Sequence, residues 1–215
     1  IMRIGILFGG PSREREIAFA GGRTVYDNLD KALFEPVPVF VDSQRNFILL
    51  DWQYMYKGTI RDFYPPVEVL PESPNHFQIY LESLQELSDV QLTELISKVG
   101  KRLMPHELPA IMDFAFLALH GSFGEDGQIQ GLLESLQVPY SGSGILASSI
   151  GVNKAFQKHM FKAAGLPSPN YIIIDKTQWQ PESYSKLYQR ALAAAGKDMV
   201  VKPAHQGSSI GISIL

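Results

Sequence analysis

Three polar, glycine-punctuated segments of this 215-residue chain hold the side chains that could do chemistry. In the first, His120, Glu125 and Asp126 stand in Leu119-His120-Gly121-Ser122-Phe123-Gly124-Glu125-Asp126-Gly127-Gln128-Ile129-Gln130-Gly131, directly after the apolar run Ile111 to Leu119. That run predicts a strand buried on both faces. Open α/β sheets place their ligand crevices at the carboxyl ends of such strands. The same residues also read as a strand, a turn and a helix, with the acids favouring the helix N-terminal dipole. A histidine at a strand end is often only a hydrogen-bonded structural group.

The second segment, Met199-Val200-Val201-Lys202-Pro203-Ala204-His205-Gln206-Gly207-Ser208-Ser209-Ile210-Gly211-Ile212-Ser213-Ile214, reads as strand, glycine-serine loop and strand. A P-loop would need a lysine at the opening of a helix, and here the chain continues as a strand. A β-hairpin can cradle phosphates in another way, through loop amides and hydroxyls with a lysine on the entering strand, as protein kinases do. A plain hairpin with a flexible loop remains the alternative. The third segment, Gly9-Gly10-Pro11-Ser12-Arg13-Glu14-Arg15-Glu16-Ile17, follows an apolar strand at 3–8. Proline suits a first helical turn, serine can cap it, and two glutamates complement its dipole. The glycine pair lacks dinucleotide-fingerprint spacing, and only Asp42 offers an acid at the end of the next strand.

The elements that position these residues follow from periodicity. A helix is predicted from the third segment to about Leu29, then a strand from Glu35 to Val41. Phe47–Leu50 and Phe77–Leu81 are short apolar pieces, separated by a proline-rich loop from Tyr64 to Pro74. Leu84 to Val99 has helical spacing and stops at Gly100. Helices are also predicted over Gln128–Leu136, Ile145–Ile150, Asn153–Ala164 and Glu182–Ala195, and strands at Val138–Tyr140 and Tyr171–Ile174. Gly165 and Gly196 close the helices before them. Ser141-Gly142-Ser143-Gly144 marks a boundary or hinge.

The totals narrow the class. Hydrophobic residues are 45% and charged residues 19%, ordinary for a globular protein. The net charge of -3 is scattered, so neither a nucleic acid nor an anionic membrane is an expected partner. The absence of cysteine excludes disulfides, thiolate metal sites and cysteine nucleophiles. No apolar run approaches the ~20 residues of a membrane span. Ile1-Met2 opens a β-strand rather than a signal peptide, with Ile1 read as an added residue.

Taken in order, the three segments resemble the D-alanine–D-alanine ligase family of the ATP-grasp superfamily. The resemblance rests on Phe8-Gly9-Gly10-Pro11-Ser12-Arg13-Glu14-Arg15-Glu16-Ile17, on Leu119-His120-Gly121 with Gly124-Glu125-Asp126-Gly127 and Gln130-Gly131, and on Pro139-Tyr140-Ser141-Gly142-Ser143-Gly144. Asn153-Lys154 and Val201-Lys202-Pro203 with Gly207-Ser208-Ser209-Ile210-Gly211 complete it. Residues 42–110 are the unmatched part. The fold implied is α/β: an open, mainly parallel N-terminal substrate domain over 1–142, then the first part of an α+β ATP-grasp domain over 143–215.

The resemblance implies an ATP-dependent ligase that joins two D-alanines through an acyl phosphate, for peptidoglycan, in the bacterial cytoplasm and as a homodimer. A ligase using D-lactate or D-serine as second substrate, or a non-catalytic α/β binding module, are the rivals. By resemblance, Glu14 binds and orients the ammonium of the first D-alanine, with Ile17 and His120 lining its pocket. Family matching selects Glu14 over Glu16, and Glu125 and Asp126 become helix-start residues. Lys154 and Lys202 match the lysines that contact ATP phosphates. Ser208 matches the serine linking the loop to substrate and γ-phosphate. Gly207, Ser209 and Gly211 belong to that loop, a lid expected to be mobile without nucleotide. Lys158 and Lys162 read as ordinary surface charges.

Two departures stand out. Ala18 occupies a position commonly serine in the family, removing a hydroxyl near the pocket. The family's Mg²⁺ ligands, adenine site and second-substrate residues have no counterpart in 1–215. The sequence is therefore expected to be a part of a longer protein, inactive alone, with no metal ligand among these residues.

Overall fold

The computed structural model describes residues 1–57 and 88–215. The predicted pieces at Tyr64–Pro74 and Phe77–Leu81, and the start of the helix predicted from Leu84, lie outside the described residues. The chain divides into two compact units, Ile1–Ser148 and Ser149–Leu215.

The first unit is built on β1 (Met2–Gly9), β2 (Phe34–Val41), β3 (Phe47–Leu50), β4 (Gly100–Leu103) and β5 (Phe114–Leu117), arranged in the order β4-β3-β2-β1-β5. β1 pairs in parallel with β2 and with β5, while β3 and β4 add antiparallel pairs at one edge. The sequence accounts for the central position of β1. Ile4, Ile6 and Phe8 alternate into one apolar cluster and Leu7 into the other, so both faces are covered. Phe8, Phe19 and Phe40 meet with ring centroids 5.4 to 6.2 Å apart, fixing α1 (Arg15–Asn28) on the sheet. Each such fully buried ring contributes about 2–3 kcal/mol.

The remaining elements of this unit are α2 (Tyr54–Lys57), α3 (Asp89–Val99), α4 (Leu108–Ile111) and α5 (Gln128–Ser135), with α6 (Ile145–Val152) running across the division. Ser88 and Gln91 close a capping box on α3. Asp42 is buried in the β2–β3 turn, accepting from the backbone N–H groups of Gln44 and Asn46 and from Asn46 Nδ2. It is a turn anchor, and burial raises its pKa despite those donors.

Three expectations shift here. The apolar run from Ile111 is a strand only over Phe114–Leu117, because its first residue closes α4, a turn started by Pro105 and Pro109. Both faces of β5 still pack on apolar clusters: Phe114 and Phe116 on one side, Ala115 and Leu117 on the other. Val138–Tyr140 forms only an isolated parallel bridge, Tyr140 to Ala115, since Pro139 lacks an N–H and contributes its carbonyl alone. Pro11 and Ser12 precede α1 instead of opening it, and Glu14 is its N-cap residue.

The second unit contains α7 (Lys154–Ala163), α8 (Tyr184–Ala195) and a hairpin of β6 (Val200–Val201) with β7 (Ser213–Ile214). Asn153 caps α7 by accepting from the Phe156 N–H at 3.1 Å. Gly165 and Gly196 follow the two helices with left-handed φ, as the sequence predicts. Tyr171–Ile174 is not a strand: its β-branched residues find no ladder partner among the described residues. Glu182 lies in a short 3-10 turn ahead of α8. Among the described residues, no helix is long and apolar enough to cross a membrane.

Candidate active site

The parallel register sets the first corner. Ile4 to Leu7 lie opposite Phe114 to Leu117, and the Ala118 N–H donates to the Leu7 carbonyl at 2.9 Å, extending the ladder beyond β5. The chain therefore leaves β1 and β5 side by side, at Gly10–Ser12 and at His120–Gly121. β1 is also the strand from which the connections diverge, through α1 to β2 on one side and with β5 on the other. This is the switch point where open α/β sheets bind ligands.

Ser12 ties the two strand ends together. Its hydroxyl donates to the His120 carbonyl at 2.7 Å and accepts from the Glu14 N–H at 3.0 Å. This buried serine works across the sheet, not as the helix cap its sequence position suggests. Gly121 has a φ of +68°, and a Cβ there would lie 2.9 Å from Glu14 Oε2 and from Ser12 Cβ. Only glycine fits that conformation and that space without strain. Glu14 Oε2 is buried and has no hydrogen-bond partner among the described residues. Ile17, one turn along the same face of α1, is 58% exposed. Ala18 is fully buried on the core side.

On the other strand end, the Gly121 N–H donates to Glu125 Oε2 at 2.6 Å, and His120 Nδ1 lies 3.9 Å from Glu125 Oε1. Asp126 accepts from the Phe123 N–H at 2.8 Å and from Gln128 Nε2 at 2.7 Å, so it organises the start of α5. Glu125 does more than its helix-start position implies, because it holds the Gly121 peptide and stands beside the His120 ring. Among the described residues, no group of three or more His, Asp or Glu side chains could hold a metal ion.

The second unit brings together another subset. The Lys154 N–H donates to the Ala204 carbonyl at 2.9 Å, and its ammonium donates to the Gln206 carbonyl at 2.6 Å. Lys154 is thus fastened to the base of the loop that carries Gly207, Ser208, Ser209 and Gly211. Ser208 and Ser209 both adopt left-handed backbone, φ +52° and +59°, followed by Gly211 at +73°. Non-glycine residues held there cost of order 1 kcal/mol each, and such strain clusters at ligand clamps. Lys202 directly follows β6, exposed, with no hydrogen bond or ion pair among the described residues. Lys158 is not an ordinary surface charge. Its ammonium donates to Ser168 Oγ at 2.7 Å and sits over the Tyr171 ring. With Lys162 it lines a cleft of about 640 Å³, which none of Lys154, Lys202 or Ser208 lines.

The family model described as D-ala D-ala ligase N-terminus matches residues 3–143, and the D-ala D-ala ligase C-terminus model matches residues 160–215. The chain belongs to the D-ala D-ala ligase family. Among curated relatives, a D-alanine--D-alanine ligase of Geobacillus kaustophilus is 32% identical over 211 residues, covering 98% of this chain and 52% of the relative. One from Desulforamulus reducens is 34% identical over 214 residues, covering 100% and 50%. The chain thus spans about half the length of the curated relatives it matches. The solved D-alanine--D-alanine ligase of Bacillus anthracis complexed with ATP is similar over 100% of this chain and 50% of that one, with a TM-score of 0.56 and 26% identity. The Coxiella burnetii D-alanine-D-alanine ligase shares the fold at a TM-score of 0.66, with 24% identity over 100% of this chain and 56% of that one.

Family membership gives the α/β architecture with a parallel sheet centre its standing. The residues that sequence reasoning passed over are Ser12, read only as a cap, and Gln130, quoted in a motif without a role. A polar residue between the apolar Ile129 and Leu133 on a core-facing helix was the available signal.

Proposed function

We propose that the complete gene product is an ATP-dependent ligase that joins two D-alanines into D-alanyl-D-alanine, for peptidoglycan synthesis in the bacterial cytoplasm. The observation that carries this reading is the corner at the ends of β1 and β5. There the Glu14 carboxylate, with one oxygen buried and unpaired, stands against Gly121 beside His120. A desolvated carboxylate oxygen without a donor is costly, and a substrate ammonium would offset that cost. Curated relatives with this name cover 98–100% of the chain at 32–34% identity.

In this reading residues 1–142 form the substrate domain and 143–215 belong to the ATP-grasp domain. Glu14 holds the ammonium of the first D-alanine, Ile17 covers its apolar side and His120 lines the pocket. The carboxylate of that D-alanine attacks the γ-phosphorus of ATP, the bond to the β-phosphate oxygen breaks, and an acyl phosphate and ADP result. The amine of the second D-alanine then attacks the acyl carbon, and the tetrahedral intermediate expels inorganic phosphate. Lys154 and Lys202 supply positive charge to the phosphates, where phosphoryl transfer depends on positioning and charge stabilisation. Ser208, with Gly207, Ser209 and Gly211, folds over them. Mg²⁺ accompanying ATP would supply further positive charge to the phosphates. Glu125 and Asp126 are engaged with backbone N–H groups, and no metal ligand is assigned among the described residues. A homodimer is the expected assembly.

D-alanine is preferred as second substrate because the curated relatives above carry it in their names. A solved D-Ala:D-Ser ligase of Enterococcus faecalis, at 20% identity, shares the fold alone. The deciding assay is phosphate release from ATP by the complete gene product. It should require both D-alanine and Mg²⁺, and Glu14→Gln and Lys202→Ala should each slow it about 10²-fold. Unchanged rates in both variants would remove the site assignment. Faster turnover when D-lactate or D-serine accompanies D-alanine would replace the second substrate.

A further inference from the structure

Gln130 is 4% exposed on the inner face of α5, flanked by Ile129 and Leu133, both fully buried. An apolar side chain of that volume would pack there without a polar cost. The amide instead leaves Oε1 buried with no hydrogen-bond partner among the described residues. What it gains is one bond, from Nε2 to the Gly124 carbonyl at 2.9 Å.

Gly124 is a sensitive place to hold. A Cβ on it would fall 2.5 Å from Leu119 Cβ and 3.2 Å from the His120 nitrogen, so its peptide lies flat against the strand end. The preceding residue, Phe123, is buried at a φ of +75°, with its ring 5.3 Å from the Arg45 guanidinium carbon. A bulky residue in that conformation persists only where its surroundings over-determine it. The following residue is Glu125, whose two oxygens face the Gly121 N–H and His120 Nδ1.

We propose that Gln130 is a positioning residue, whose amide N–H fixes the Gly124 carbonyl and thereby the turn that sets His120 and the Gly121 peptide beside Glu14. This rests on reading that corner as the pocket of the first D-alanine. The bond reaches the site from a helix, a more rigid support than the turn it holds.

The test uses the complete gene product with Gln130→Glu and Gln130→Met. A carboxyl buried among apolar side chains is pushed up toward the assay range. Protonated, it has an O–H that can donate to Gly124; ionised, it has none. In Gln130→Glu, the KM for the first D-alanine should rise about tenfold at pH 9, the scale of one lost hydrogen bond, and return to within about twofold of wild type near pH 6.5. Gln130→Met should show the rise at both pH values, and the KM for ATP should stay within about twofold throughout. Wild-type KM values in both variants overturn the proposal. So does a parallel rise in the KM for ATP, or a rise in Gln130→Glu that ignores pH. Should Gln130→Glu fail to fold, the KM split in Gln130→Met decides. A wild-type protein that forms no dipeptide overturns the functional reading itself, whereas wild-type behaviour in the variants removes the positioning role alone.

Discussion

A methyl group on Gly121 would lie 2.9 Å from Glu14 Oε2, although the two residues sit on different strand ends, 107 positions apart in the chain (121 − 14). The β1–β5 register makes this approach, and Ser12, bonded to both the His120 carbonyl and the Glu14 N–H, holds it. Gly121→Ala should therefore act twice. The φ of +68° and the clash together should lower stability by about 1–3 kcal/mol, measured by urea unfolding. Displacing the Glu14 carboxylate should raise the KM for the first D-alanine at least tenfold, because small misplacements at a site cost that much or more. A variant with normal kinetics would show that Glu14 does not touch the substrate.

The elements nearest this corner were the most legible in the sequence. β1 is predicted at 3–8 and runs Met2–Gly9, since a short apolar run ending at the Gly9-Gly10 turn leaves little choice. The hairpin around Lys202 is likewise read correctly, because loop and strands are local. What the sequence hid depends on distant partners. Tyr171–Ile174 has strand composition, yet a strand exists only where a neighbour supplies hydrogen bonds. Ser12 has the residue type of a cap, but its hydroxyl finds the His120 carbonyl 108 residues away. Phe123 gives no sequence sign of its left-handed backbone, for which a glycine would be the usual signal.

The amino-terminal ends of the same strands give a pH prediction independent of catalysis. Arg3 donates through its guanidinium and its backbone N–H to Asp113, just before β5, and also to the Ala110 carbonyl. The Arg3 hydrogen bonds hold the Asp113 carboxyl down to about 2, from an ordinary 3.8. A carboxylate with a depressed folded pKa adds stability above its unfolded value and loses it as pH falls toward the folded one. Asp113→Asn should thus be less stable than wild type at pH 6. The gap should close between pH 4 and pH 2, as followed by denaturant midpoints. Both partners are partly exposed, so 0.5 M salt should narrow the gap at pH 6. A gap of constant size across that range would assign the effect to shape and not to charge.

Lys154 and Lys202 carry the same charge but should fail differently when replaced. The Lys154 ammonium already has a partner, the Gln206 carbonyl at 2.6 Å, whereas Lys202 has none among the described residues. A charged hydrogen bond to a carbonyl contributes about 1.5–3 kcal/mol, so Lys154→Met should loosen the loop before any nucleotide binds. Limited proteolysis of the complete gene product without ATP should then cut within residues 204–211 at least fivefold faster in Lys154→Met than in wild type. Lys202→Met should be cut at the wild-type rate. Both variants should raise the KM for ATP, and ATP should slow cleavage of the wild-type loop most. Equal cleavage of the two variants without nucleotide would mean that the Lys154–Gln206 bond does not hold the loop, leaving both lysines as phosphate ligands alone.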